Sequence, residues 1–318
     1  MSKYLNFESA EILGRTPLRI GISTRALFNL EEEHEVFLKE GVAAYAAMQL
    51  LREKTIIRPG TGFQVVQRLL SLNEFEKPPV VEVILMSRNS PDLSLRAFNS
   101  IKQYGLSIKT GSFTSGRTLG PYVTAWNIDL FLSNEIDDVK AAVFAGAAAA
   151  KLEVVPSVSD EPHAEEVRIA FDGDAVVFSA ESDKIYAEQG LEAFLAHEQG
   201  NATLPMQSGP FGVFLRKLSL LRSTFLMEDG ASLVRIAIVT ARNAPAHERV
   251  VHTLRAWGTP ADEAHFVGRF EKAPILKAFG AHIFFDDQEK HVLGASAVVP
   301  SGHVPGPHSA EEPIIPAD

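Results

Sequence analysis

The chain has 318 residues, of which 46% are hydrophobic and 22% are charged, and its formal net charge is −10. This length and composition predict a globular protein with one large domain or two. The acidic balance gives no reason to expect a nucleic-acid partner, and the lack of cysteine excludes disulfides and cysteine-based zinc sites. Residues 1–17 lack the apolar core of a signal peptide, so we expect a cytoplasmic protein without a membrane partner.

The first half of the chain alternates short apolar runs with helical patterns. The runs predict strands, and the patterns predict helices, over 18–22 (strand), 31–52 (helix), 62–72 (helix), 81–86 (strand), 92–104 (helix) and 128–132 (strand). The alanine-rich run AAVFAGAAAA (141–150) is too short to span a membrane, and we expect it to form a packed helix.

The second half shows the same alternation. The predicted elements are 167–171 (strand), 183–198 (helix), 210–225 (helix), 234–239 (strand), 246–257 (helix) and 281–285 (strand). Strands that alternate with helices indicate an α/β fold with parallel sheets flanked by helices on both faces. Such sheets bind ligands at the carboxyl ends of their strands.

The two halves also resemble each other in sequence. Four blocks recur in the same order at a nearly constant spacing of about 150 residues, among them RIGISTRALF with RIAFDGDAVVF and ILMSRN with IVTARN. We interpret this as an internal duplication of two Rossmann-like lobes, although any two α/β halves share some likeness. The predicted units are an N-terminal degenerate lobe (1–155), a C-terminal catalytic lobe (156–300) and a flexible tail (301–318), with the boundary in the stretch 153–166, which is rich in proline, serine and acidic residues.

Acidic residues at predicted strand ends are confined to the second half. In the alignment, Asp172 and Asp174 face Ser23 and Arg25, and the pair Asp286–Asp287 faces Ser133–Asn134. Thr240 faces Ser87, and Lys272 faces Leu119 or Gly120. A purely structural role for the carboxylates, such as capping or a Gly-centred turn, gives no reason for this segregation.

The grouped residues predict phosphoryl-transfer chemistry. Several carboxylates that lie close together repel one another unless a cation is present, and Mg²⁺ prefers such oxygen ligands. We expect Asp172 to act as nucleophile and Asp174 as general acid and base. Thr240 and Lys272 would hold the phosphoryl oxygens, and the expected metal ligands are Asp172, Asp174, Asp286 and Asp287. Alternatives are helix capping for Thr240 and for the Asp286–Asp287 pair, and Lys277 in place of Lys272.

The motifs FDGDAVVF, IVTARN, EKAPIL and IFFDDQ, in that order, resemble those of the haloacid dehalogenase superfamily of phosphotransferases. Over roughly residues 16–305 the chain looks more closely like the cytosolic 5′-nucleotidase I family, through ISTRALF, ILMSRN, FDGDAVVFS, VTARNA, TLRAWG and HIFFDDQEKHV. The resemblance implies magnesium-dependent hydrolysis of nucleoside 5′-monophosphates such as AMP, and it suggests a homo-oligomer. Other readings are a phosphatase or phosphotransferase for another small phosphate ester, and a slow nucleotide-binding regulatory protein.

Two further expectations concern substrate binding. Where vertebrate relatives have a Gly-Gly-Asn-Ser-like segment, this chain has TSGRT (114–118), so its base or sugar preference would differ if that loop touches the nucleoside. The candidate substrate-binding residues are Arg25, Ser115, Gly116, Arg117, Ala241 and Arg242. The first-half arginines would reach the nucleotide across a cleft between the lobes, unless they are ordinary surface residues. Residues 180–225 would form a cap-like insertion, as in the superfamily.

Overall fold

The computed structural model describes residues 7–153 and 165–306. In these residues ten strands form one sheet, and helices flank it on both faces. The strands are Leu18–Ser23 (β1), Val81–Ser87 (β2), Thr110–Phe113 (β3), Leu130–Ser133 (β4), Ala148–Leu152 (β5), Val167–Phe171 (β6), Val234–Thr240 (β7), Glu263–Phe266 (β8), Ile283–Asp286 (β9) and Ser301–His303 (β10).

The helices of the described residues alternate with these strands. They are Phe7–Arg15 (α1), Thr24–Leu27 (α2), Glu31–Leu51 (α3), Phe63–Ser71 (α4), Ser94–Gln103 (α5), Gly120–Ala125 (α6), Ile136–Phe144 (α7), Glu181–Gly200 (α8), Gly212–Thr224 (α9), His247–Trp257 (α10), Ala273–Phe279 (α11) and Glu289–Ser296 (α12). Every strand and helix predicted in the alternating pattern is present, with ends within two residues of those expected.

The order of the strands across the sheet is β3-β2-β1-β4-β5-β10-β9-β6-β7-β8. All neighbouring strands among the described residues run parallel except β5 and β10, which are antiparallel. Counted from the outermost strand inward, the first half has the order β3-β2-β1-β4-β5, and the second half has the order β8-β7-β6-β9-β10. The two halves therefore connect their strands in the same way. Because the halves meet at the antiparallel pair, the strands of one half run opposite to those of the other, and their carboxyl ends lie in two opposite rows. We call these two rows of strand ends the first-half edge and the catalytic-half edge of the sheet.

Two sequence expectations are wrong at the junction of the halves. The run 141–150 is not one packed helix, because α7 ends at Phe144 and Ala148 begins the buried strand β5. Gly146 has φ 90°, which stops the helix, and the alanines that follow pair with β4 on one side, while Lys151 and Leu152 pair with β10 on the other. The second wrong expectation is that the flexible tail begins at residue 301, because Ser301–His303 is a strand of the sheet. The rest of that tail (307–318) and most of the expected boundary (154–164) lie outside the described residues.

One hydrophobic core joins the two halves. A single cluster of buried side chains on one face includes Ile22 and Val66 from the first half and Phe171 and Leu218 from the second. The opposite face carries one smaller cluster for each half. The two predicted lobes therefore share a sheet and a core, rather than forming two separately packed sheets.

Helices α3 and α8 are each bent into a hairpin with two arms. In α3 the reversal is at Gly41 (φ 83°, ψ −177°), and in α8 it is at Gly190 (φ 82°, ψ −176°). Only glycine adopts this region readily. The reversal brings the ends of each helix together, so that Ser182 Oγ donates a 2.8 Å hydrogen bond to Glu198. We call residues 181–200 the catalytic-half hairpin and residues 31–51 the first-half hairpin.

Helix α9 does not extend the catalytic-half hairpin, although the predicted cap-like insertion ran to residue 225. Its residues Phe214, Leu215, Leu218 and Leu221 are buried in the shared core. The helix therefore covers the sheet, and the part of the insertion that lies away from the core is the hairpin.

Candidate active site

Strand pairing places the first two acidic residues side by side. Strands β6 and β9 are parallel neighbours, and Phe171 pairs with Phe285, so the next residues along them are Asp172 and Asp286. The backbone N–H of Asp172 donates to the carbonyl of Phe285 at 2.8 Å, which extends the pairing into the loop. Both carboxylates are buried because hydrophobic layers cover the sheet on each face.

A third carboxylate and a lysine complete the centre of the site. Ligand atoms of Asp172, Asp286 and Asp287 lie within 4.8 Å of one another. Buried Lys272, directly before α11, places Nζ 2.8 Å from Asp172 Oδ1 and 2.7 Å from Asp286 Oδ2. Lys277, the alternative considered from the sequence, is exposed to solvent.

The shared charge shifts the three carboxylates in different directions. Burial, opposed by Lys272 and reinforced by Asp286, raises the pKa of Asp172 to about 7. Burial, with the charges of Asp172, Asp286 and Asp183, raises the pKa of Asp287 to about 9. Although burial acts in the other direction, Lys272 and His291 lower the pKa of Asp286 to about 2. The single lysine therefore balances the acids only in part, and the site favours additional positive charge.

The donor set fits a hard divalent cation. Three carboxylates that are buried this close together are costly unless cationic partners offset the repulsion. Carboxylate oxygens suit Mg²⁺, whereas a zinc site would draw on histidine or cysteine nitrogen and sulfur. The residues that could hold the ion are Asp172, Asp286 and Asp287. Asp174, also expected as a metal ligand, is not grouped with them, because Arg242 binds its carboxylate.

Thr240 ends β7, the strand on the other side of β6. Its hydroxyl lies so close to Gly173 that a Cβ added there would be 3.2 Å from Oγ1. The hydroxyl accepts the backbone N–H of Arg242 at 3.2 Å, and Thr240 is almost fully buried. Gly173 therefore lets the loop after β6 approach Thr240, which lies beside the Asp172 loop as expected.

Arg242 lies inside the protein and differs most from its predicted role. It was expected to bind substrate, but its side chain is fully buried. Its Nε and Nη2 donate to the two oxygens of Asp174, each at 2.7 Å. Nη2 also donates to Ser182 at 2.8 Å, and Nη1 donates to Glu198. The guanidinium thus joins Asp174 to both arms of the catalytic-half hairpin.

Four residues of the site were not identified from the sequence. Glu198 is fully buried and accepts from Arg249 Nη1 at 3.0 Å as well as from Arg242. His291, in the first turn of α12, places Nδ1 3.3 Å from Asp286. Ser182 accepts from Arg242 Nη2. His291 lies only five residues after Asp286, so the sequence could have suggested that the two meet. Ser182 and Glu198 meet Arg242 only because the chain reverses between them, and no sequence motif marks that reversal.

The first-half candidates lie at the other edge of the sheet. Arg25 follows β1, and Ser115, Gly116 and Arg117 follow β3, so the antiparallel β5–β10 pair separates all four from Asp172. Arg25 is also neutralised, since its guanidinium bonds Glu31 and Glu135 at 2.6–2.7 Å. The structure therefore does not bring these residues to the acidic group within one chain.

The remaining candidates are divided between the two edges. Ala241 follows Thr240 at the acidic site and is partly exposed. Residues 115–118 of the TSGRT loop are exposed at the first-half edge, where Arg88 donates to the carbonyl of Gly116 at 3.1 Å.

Comparison with known proteins agrees with the motifs. A family model described as 5′-nucleotidase matches residues 12–311. Human "Cytosolic 5′-nucleotidase 1B" is 33% identical over 291 residues, which cover 88% of this chain and 47% of the human protein. The chain thus spans about half the length of this curated relative. None of the helices within residues 7–153 and 165–306 has the length and apolarity needed to cross a bilayer.

One solved structure was also similar in part. A protein described as a UDP-N-acetylglucosamine 2-epimerase from Listeria monocytogenes shares 10% identity, covering 90% of this chain and 78% of its own, with a TM-score of 0.22. A score this low carries no argument about fold or function. The match of the family model over nearly the whole chain does: the chain belongs to the 5′-nucleotidase family, and within it to the cytosolic 5′-nucleotidase I group.

Proposed function

We propose that the protein is a magnesium-dependent 5′-nucleotidase that hydrolyses AMP-like nucleoside 5′-monophosphates to nucleoside and phosphate through an aspartyl phosphate on Asp172. The observation that carries the proposal is the position of Asp172. It is buried at a strand end, 2.8 Å from Lys272, with ligand atoms of two more carboxylates within 4.8 Å. Membership of the family supports the reaction class.

In the first step an oxygen of Asp172 attacks the phosphorus, and the bond from phosphorus to the 5′ oxygen breaks. Asp174 gives its proton to the leaving 5′ oxygen, which departs as the nucleoside hydroxyl. Lys272 and Thr240 bind the phosphoryl oxygens and stabilise the charge that develops on them. Magnesium held by Asp172, Asp286 and Asp287 would supply further charge neutralisation for the phosphoryl group.

In the second step water attacks the phosphorus of the aspartyl phosphate, and Asp172 is released as a carboxylate. Asp174 takes the proton from the attacking water, which returns it to the form that serves as the acid. In the structure both Asp174 oxygens accept from Arg242, so one of them must leave the guanidinium and take up a proton from solvent before Asp174 serves as the acid.

The proposal extends to the origin and the setting of the chain. The matched strand order and the two glycine-hinged hairpins support an internal duplication with lobes near 1–155 and 156–300 and a haloacid dehalogenase-like fold. The name of the human relative supports a cytoplasmic enzyme. The homo-oligomer rests on the family resemblance, and the net charge of −10 speaks against nucleic acid as a partner.

A substrate panel tests the proposed function. Phosphate release is measured from nucleoside and deoxynucleoside 5′-monophosphates and from sugar phosphates, with magnesium and with a chelator. We expect hydrolysis of the nucleotides only with magnesium, and trapping of labelled phosphate on Asp172 in quenched samples. Hydrolysis of sugar phosphates alone would favour the alternative phosphatase, and tight nucleotide binding without turnover would favour a regulatory protein.

A further inference from the structure

The bonding of Arg242 leaves its guanidinium fully committed inside the protein. The two nitrogens that face Asp174 form a two-pronged ion pair with its carboxylate at 2.7 Å, and the third nitrogen donates to Glu198. The side chain has no exposed surface, so it cannot meet a substrate in this arrangement. Arg242 therefore acts on the site through Asp174.

Glu198 connects this arginine to the catalytic-half hairpin. Its carboxylate is fully buried and accepts from Arg242, from Arg249 at 3.0 Å and from Ser182 at 2.8 Å. The alternating charges of Asp174, Arg242, Glu198 and Arg249 balance one another, which makes their joint burial tolerable. The position of the hairpin is thereby linked to the orientation of Asp174.

The first half shows which part of this network the fold itself needs. The first-half hairpin is also held by a buried arginine, since Arg96 Nη1 donates to Glu33 at 2.7 Å and to Gln49 at 2.8 Å. In the alignment of the halves, Arg96 corresponds to Arg249 and Gln49 corresponds to Glu198. One buried arginine therefore suffices to anchor a hairpin.

The second arginine differs between the halves. Arg88, the counterpart of Arg242, is 45% exposed in its side chain and points to the Gly116 carbonyl and Asp138 instead of the hairpin. The first half has no acid at the position of Asp174, where Arg25 stands. The link from hairpin to strand end is thus present in the half that carries Asp174 and is absent from the half that does not.

We infer that Glu198 is a positioning residue that acts through Arg242 to fix the orientation of Asp174 for proton transfer to the leaving group. This rests on the proposed function, in which Asp174 is the acid. When Glu198 loses its charge, the guanidinium of Arg242 keeps the Ser182 hydroxyl but loses its charged partner in the hairpin, and Asp174 remains the one carboxylate bonded to it. Asp174 is then bound to a partner that is held less firmly, and its transfer of a proton to the leaving oxygen slows.

The test compares two substrates that differ in one atom. A nucleoside 5′-monophosphate needs protonation of its 5′ oxygen, whereas the analogue with sulfur in that bridging position leaves as a thiolate without a proton. For Glu198→Gln we expect kcat/KM for the oxygen substrate to fall by about 10-fold or more, with a much smaller fall for the sulfur analogue. The value of kcat/KM includes steps only through phosphoryl transfer to Asp172, so the later hydrolysis does not obscure the comparison.

Glu33→Gln is the matched control. It removes the buried carboxylate that pairs with Arg96 in the first-half hairpin, at the opposite edge of the sheet. We expect a comparable loss of thermal stability and an unchanged ratio of the two kcat/KM values. An equal fall for both substrates in Glu198→Gln would overturn the positioning role and leave only anchoring of the hairpin.

Ser182→Ala provides a milder variant if Glu198→Gln does not fold. It removes the hydroxyl that accepts from Arg242 and donates to Glu198, and we expect a smaller selective loss with the oxygen substrate. Equal rates of Ser182→Ala and wild type with both substrates would count against the inference. Failure of the wild-type protein to hydrolyse either nucleotide would instead reject the proposed function, which keeps the two failures distinct.

Discussion

Strands β1 and β6 hold the same position in their halves of the sheet, but the chain leaves them differently. After β6 come Asp172 and Asp174, whereas β1 ends at Ser23, whose hydroxyl accepts the backbone N–H of Ala26 at the start of α2. The serine satisfies a local backbone donor and therefore serves the fold. Asp172 has no such local task and bonds Lys272 from a distant segment. The comparison separates what this architecture requires from what the chemistry adds.

The hairpins lead to the same conclusion. Both reverse at a glycine with nearly the same backbone angles, and both are anchored by a buried arginine. The catalytic-half hairpin alone continues through a second arginine to an acidic strand end. Two halves with the same framework can thus both keep their anchors while one half carries the charged centre.

Asp172→Asn is expected to have the largest effect, because it removes the nucleophile while keeping the size of the side chain. Hydrolysis of nucleoside 5′-monophosphate should fall by about 1,000-fold or more. Its matched partner, Ser23→Ala, should lower stability by about 1 kcal/mol through the lost cap and leave kcat unchanged. Full activity of the Asp172 variant, measured as phosphate release, would contradict the mechanism.

Lys272→Met should have the next largest effect. The lysine bridges Asp172 and Asp286, and its charge is expected to stabilise the phosphoryl oxygens, so kcat should fall by about 100-fold. Leu119 or Gly120 stands at this position in the first half, so the framework does not need a lysine there. The measurement is steady-state hydrolysis with saturating magnesium, and Lys277→Met is the control that should behave like wild type.

Gly190→Ala and Gly41→Ala compare the hairpins directly. Each places a side chain at a backbone conformation near φ 82–83° and should cost about 1–3 kcal/mol. Denaturant unfolding should show similar losses for both variants. Turnover per folded molecule should fall for Gly190→Ala alone, because only that hairpin carries Glu198. Equal effects on turnover would remove the functional distinction between the hairpins.

The smallest expected effect is the pH dependence of the metal-free site. When the pKa of an acidic group is higher in the folded than in the unfolded state, the stability of the protein falls as pH rises. This holds for Asp172, from 3.8 to about 7, and for Asp287, from 3.8 to about 9. Asp286 acts in the opposite sense, and its contribution is lost as pH falls from 3.8 toward about 2.

Magnesium should offset the destabilisation at higher pH because protons compete with the ion for the same carboxylates. We expect the increase in Tm on adding magnesium to be a few degrees larger near about pH 8 than near about pH 5. Differential scanning calorimetry with magnesium and with chelator measures it. Asp287→Asn is the control and should reduce the difference, whereas an equal increase at both pH values would argue against a cation among these carboxylates.

The sequence by itself determined the local elements and the chemistry at the strand ends. Alternation of apolar strands and helical patterns located the six predicted strands, because that periodicity reflects the burial of each segment. It also indicated the residues that meet at the acidic site, since parallel neighbours bring their carboxyl ends together. Asp172, Thr240 and Asp286 could be named for this reason, and Lys272 could be named through the EKAPIL motif.

Only the tertiary structure decided how the halves are arranged and how Arg242 is used. The short strand Ser301–His303, in a stretch expected to be flexible, pairs antiparallel with β5 and sends the first-half candidates to the opposite edge. A pairing between segments so distant in sequence leaves no periodicity to read. The sequence likewise predicts Arg242 as a substrate-binding residue, whereas in the fold the hairpin reverses at Gly190 and brings Glu198 to its guanidinium. Burial of that charge depends on partners which only the folded chain supplies.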